Sequence, residues 1–175
     1  WHELEVTEGM NRFVWDLLLP PPRLVDGAVM SLAYTGGAFV VPGTYRVRLQ
    51  VGDQTEERSF EVVKDPRLDD VTQEDFEAQR DLVVEVRDRL TAIHDRVRQL
   101  REVREDTRRT LERLGRSRVD GETASTIVDL GEQLVADIDE VESSLIHTRN
   151  EAGQDPINFP PQIDDQYAYL YSHVV

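Results

Sequence analysis

The stretch "VTQEDFEAQRDLVVEVRDRLTAIHDRVRQLREVREDTRRTLERLG", residues 71–115, decides the fold. Phe76, Gln79, Val83, Val86, Leu90, Ile93, Val97, Leu100, Arg104, Thr107, Leu111 and Leu114 follow strict 3/4 spacing. That is the seam of a helix packed in coiled-coil fashion, with polar breaks at 79, 104 and 107. Thr72 with Asp75 three residues on forms an approximate capping box, and Gly115 is a natural stop. The helix, about 72–114, would be roughly 60 Å long at 1.5 Å per residue.

A second helical pattern covers about 122–150, with Ile127, Leu130, Leu134, Ile138, Val141 and Leu145 as its expected seam. The connection "GRSRVDG" (115–121) is short, so the two helices are expected to be antiparallel neighbours. Charge agrees. Residues 96–118 hold nine Arg against four acids, whereas 122–142 hold seven acids and no base. The arginine run is therefore expected to be compensated within the hairpin.

The second helix is the shorter, so the first one's seam from Phe76 to Leu90 needs another cover. The closing stretch "GQDPINFPPQIDDQYAYLYSHVV" (153–175) supplies a third helix at about 162–174. Pro160–Pro161 mark the corner before it, and Ile163, Tyr167, Leu170 and Val174 would face the long helix.

Residues 1–66 carry period two instead. "RFVWDL" (12–17) alternates Phe13, Trp15 and Leu17 with Arg12, Val14 and Asp16; "TYRVRLQV" (44–51) and "RSFEVV" (58–63) read as further strands. "ELEV" and "AVMSLAY" are weaker candidates. Gly36–Gly37, Pro42–Gly43 and Gly52–Asp53 are turn signals, and the last joins two strands as a hairpin. Pro66 ends the pattern. The expectation is an α+β chain: a small antiparallel immunoglobulin-like β-sandwich at 1–66, then at 67–175 a long antiparallel helical hairpin with a short C-terminal helix.

Composition narrows function. The net charge of −15 disfavours nucleic acid and anionic membrane surfaces. No run of eighteen apolar residues exists, so no membrane insertion is expected. Cysteine is absent, and Lys64 is the one lysine. A start at Trp1 rather than Met reads as a fragment of a longer chain.

No catalytic residue set stands out. Asp155, Asp164 and Asp165 sit in a Pro-rich, aromatic neighbourhood. They could serve as a carboxyl pair or a calcium site; turn and helix capping is the plainer role. His2, His94, His147 and His173 lack metal-ligand spacing and read as surface or flank residues. No GxSxG elbow or phosphate loop is present. No cofactor is implied. Trp1, Trp15, Tyr34 and Phe39 are candidate ligand contacts for sugar rings, although Trp15 is in phase with Phe13 and Leu17 and reads better as core.

"GMNRFVWDL", "VPGTYRVRLQV", "VVKDPR", "RDLVVEVRDRL" and "GQDPINFPPQI" occur in this order. Together they resemble the C-terminal region of large bacterial proteins classed as glycosyl hydrolases with BNR or sortilin-like repeats. Where that pattern tends to read Leu-Asn-Asn-Lys, this chain has Ile163-Asp164-Asp165-Gln166. The resemblance implies an upstream β-propeller as partner and a secreted or periplasmic location. It makes the chain a non-catalytic accessory or interaction module of the parent hydrolase-like protein, with a protein or glycan as further partner. A carbohydrate-binding sandwich, or a supplier of acids to a composite site, is the alternative.

Overall fold

The computed structural model describes residues 4–30, 33–116, 121–155 and 158–175. The long helix, α1 (Gln73–Gly115), begins at Thr72. The Thr72 hydroxyl accepts the Asp75 N–H (3.2 Å), and the Asp75 carboxylate accepts the Thr72 N–H (2.8 Å). The capping box is thus complete with Asp in place of Glu. The Thr72 hydroxyl also donates to that carboxylate (2.6 Å), and this bond, then the one from the Thr72 N–H, holds the Asp75 carboxyl below its ordinary pKa. At the far end the Arg116 N–H bonds to the Glu112 carbonyl.

α1 buries Val83, Val86, Leu90, His94 and Val97, and no residue beyond 97 is fully buried. The reason is the number of neighbours. The first half is flanked by α3 (Ile163–Val174) and by residues 20–25 and 38–41, which lie against the helix. The Arg23 N–H donates to Thr91 Oγ1, the Val25 N–H to His94 Nδ1, and Arg98 Nη2 to the Leu24 carbonyl. Ala38 packs with Val83, Val86 and Tyr171, and Val25 with Val97 and Ile146. Residues before the expected boundary at 66 therefore belong to the helical core.

α3 turns a different face to α1 than its most apolar positions suggest. Asp164, Asp165, Ala168 and Tyr171 are buried, Tyr167 and Val174 flank the core, and Ile163 and Leu170 are exposed. Ala168 admits close approach, and Tyr171 reaches the carbonyl of Gly36 with its hydroxyl (2.8 Å).

α2 (Glu122–Leu145) runs antiparallel to the second half of α1. It ends earlier than its pattern suggests because Ile146 is extended (φ −133°, ψ 156°). Its packed face is also shifted. The partly or fully buried positions are Ala124, Val128, Gly131, Val135, Ile138, Glu142 and Leu145. Ile127, Leu130, Leu134 and Val141 of the expected seam are exposed. The packed face is rich in small residues. At Gly131 a Cβ would lie 2.7 Å from Leu111 Cδ2, so the Leu111 side chain packs over the glycine and would have to shift to admit one.

The sheet is smaller than expected. β1 (Gly43–Val51) and β2 (Gln54–Val62) form a two-stranded antiparallel hairpin across Gly52–Asp53, with Val51 opposite Gln54 and Tyr45 opposite Phe60. Gly52 takes the positive φ (59°) that this turn requires. No sandwich forms among the described residues. "RFVWDL" alternates like a strand but ends in a turn: the Asp16 carboxylate accepts the Leu18 N–H, and Leu17 is left-handed (φ 63°). A single bridge, Leu18 to Phe39, remains. Pro20–Pro22 then remove three ladder donors in a row. Of "AVMSLAY", residues 31 and 32 lie outside the described residues, and the rest pairs with nothing described.

Candidate functional site

Ionisable groups are buried where α1, α2 and α3 converge. His94 is fully buried, not the surface histidine its spacing suggested. Its Nδ1 accepts the Val25 N–H, so Nε2 carries the proton in the neutral ring. Nε2 has no hydrogen-bond partner and points at Asp164 Oδ2, 3.8 Å away. Desolvation first, then Arg98 and Arg101, lower the His94 pKa to about 4. Burial and the neighbouring Asp165 raise Asp164 to about 7. The Asp165 N–H donates to Asp164 Oδ1 (2.8 Å), partly offsetting that rise. At neutral pH the pair is thus an uncharged ring facing a carboxyl that titrates there.

About two to three turns further along α1, Glu142 of α2 is buried but paired. Arg101 Nε donates to its Oε1 (2.8 Å) and Arg104 Nη1 to its Oε2 (2.6 Å). Arg104 also bonds Asp139 (2.5 Å). Both carboxylate oxygens are satisfied, which a buried charge requires. The hairpin's charge pairing is concentrated here. Arg108 also reaches Asp139 (3.9 Å), whereas Arg98 pairs with Asp95, Arg109 with Asp106 and Arg116 with Glu112 along the first helix.

A His–Asp pair can move a proton only where a reacting group reaches it. Neither of two surface cavities, of about 260 and 490 Å³, includes His94, Asp164 or Asp165. The first is lined by Phe39, Val41, Phe76 and Val83, the second by Pro20, Arg23, Arg87 and Asp95. The cluster lies where α3 packs on α1. His94 has a signal in the sequence: it stands four residues after Leu90 and three before Val97, a spacing as regular as the one through Ile93.

The remaining candidates are scattered. Among the described residues no three His, Asp or Glu are arranged to hold a metal ion. Asp155 accepts the N–H groups of Glu151 and Ala152, which lowers its pKa and fixes a turn. Trp1 and His2 lie outside the described residues. Trp15 packs on the base of the β hairpin, tilted 57° to Tyr45 and 78° to Phe60, so these rings form a cluster and not a flat platform. Tyr34 lies over Gly36 and donates its hydroxyl to the Gly37 carbonyl. Phe39 is exposed on the rim of the smaller cavity. His147 packs tilted against Phe159, whose ring also lies under Arg149, and His173 packs tilted against Tyr169.

Beyond the Trp15 cluster the hairpin continues into solvent, with Val47, Leu49 and Val51 of β1 opposite Arg58, Glu56 and Gln54 of β2. Val47, Leu49 and Val51 are half exposed or more. No Cα of the three helices comes within 8 Å of a residue in either strand. Among the described residues both outer edges are unpaired. Comparison of the chain with protein-family profiles, with curated proteins and with solved structures gave no match.

Proposed function

We propose that the chain is a non-catalytic interaction module and that the β1–β2 hairpin is its contact element. One observation carries this reading: the hairpin stands clear of the helices with Val47, Leu49 and Val51 uncovered. An isolated two-stranded hairpin is marginal in water, and a strand edge with an apolar face is a template for another sheet. On its other face Arg46 and Arg48 pair with Glu57 across the two strands. Within the family resemblance, the partner is the β-propeller upstream in an exported hydrolase-like protein, itself built of sheets.

The test is titration of the chain with that upstream region supplied separately. Binding is expected, weakened at least tenfold in a Val47→Lys/Leu49→Lys variant. No binding, or equal binding by the variant, would contradict the reading.

A further inference from the structure

The exposed face of α2 carries a second surface, independent of the hairpin. Ile127, Leu130, Leu134 and Val141 recur at intervals of three, four and seven, so they lie in one stripe along the helix. All four are exposed, between 42% and 66%. The packed positions from Ala124 to Leu145 occupy the adjacent stripe against α1. α2 therefore has two apolar faces and the chain covers one. The uncovered stripe spans about 21 Å, two heptads, at 1.5 Å per residue.

Charge indicates what fits it. At 100° per residue, Asp137, Glu140 and Asp129 follow the stripe on the side away from α1. Among the described residues Asp129, Glu132, Asp137 and Glu140 form no salt bridge; the α1 arginines that reach across bind Asp139 and Glu142. Asp137 accepts only a neutral donor, Gln133 Nε2 (2.7 Å). A second copy of α2 would set seven acids against seven with no base between 122 and 142. We propose that this stripe docks a basic amphipathic helix of a partner protein, with apolar side chains at i, i+3, i+4 and i+7 and Lys or Arg flanking them. The apolar stripe holds the helix, and the unpaired acids select its charge and speed its approach.

The probe is an 18-residue amphipathic peptide with Leu at a and d and Lys at e and g, titrated into the full chain; its counterpart carries Glu at e and g. The Lys peptide should bind at least tenfold more tightly than the Glu peptide. Leu130→Ser/Leu134→Ser should weaken it at least tenfold, and Asp137→Asn/Glu140→Gln about threefold. The substituted positions are exposed, so the variants should keep the helical circular dichroism of the unmodified chain. Val47→Lys should leave peptide binding unchanged, so this proposal and the hairpin reading fail separately. Equal binding by the Leu variant would reduce the interaction to diffuse charge attraction and overturn the proposal. Sedimentation as a dimer that the Leu variant dissociates would assign the stripe to a second copy and overturn it too.

Discussion

The two halves of α1 share one sequence period and have unlike surroundings. From Gln73 to Val97 the helix is flanked by α3, residues 20–25 and 38–41 and the end of α2, and five side chains are buried. Beyond Val97 its partner is α2, and none is. An amphipathic stripe thus states only that a helix can pack. How completely it packs depends on how many neighbours arrive, and these come from distant parts of the chain.

The largest contrast should come from cavity formation. Leu90 is fully buried, and Leu90→Ala should cost about 2–5 kcal/mol in urea unfolding. Leu130→Ala on α2 should stay within about 0.5 kcal/mol, because that side chain is 66% exposed. Equal losses would contradict the burial of Leu90 and the exposure of Leu130. Glu142 stands at the boundary between them. Glu142→Gln leaves Arg101 and Arg104 short of a charge and should cost roughly 2–3 kcal/mol, less than a fully buried pair because both arginines reach solvent.

The buried pair of the enclosed half should show in pH dependence. His94 drops from an ordinary 6.5 to about 4, so between those values the unfolded chain binds the extra proton and stability is lost as pH falls. Asp164 rises from 3.8 to about 7, so the folded chain binds the extra proton there and stability is lost as pH rises. Over pH 4–6.5 the two slopes oppose and nearly cancel in the unmodified chain. Asp164→Asn should expose the His94 slope, with stability falling by on the order of 2 kcal/mol from pH 6.5 to 4. His94→Asn should expose the opposite one, falling by a similar order from pH 4 to 7. Identical pH profiles for both variants would show that the pair is not the source. At the start of the enclosed half, Thr72→Ala removes the capping box and should cost roughly 1 kcal/mol.

Much of this contrast was legible in the sequence, and the illegible part has physical causes. The stripe through Val83, Val86, Leu90 and Val97 follows from period alone, as do the capping box and the hairpin turn at Gly52–Asp53. On α2 hydrophobicity pointed to the larger side chains, whereas close approach selected Ala124, Val128, Gly131 and Val135. The same misreading occurred on α3, where Ala168 and Tyr171 displaced Ile163 and Leu170 from the interface. For the sheet, alternation in "RFVWDL" was real, but a strand exists only when a ladder partner is present, and Asp16 and Leu17 turn the chain away. The burial of His94 depends on α3 arriving from seventy residues away with two acids in its first turn.

Amide hydrogen exchange resolved along α1 tests the unlike halves most directly. Protection of residues 83–97 should approach that of global unfolding, and residues 104–114 should exchange at least tenfold faster through local opening of the α1–α2 arm. Uniform protection from 83 to 114 would contradict the account.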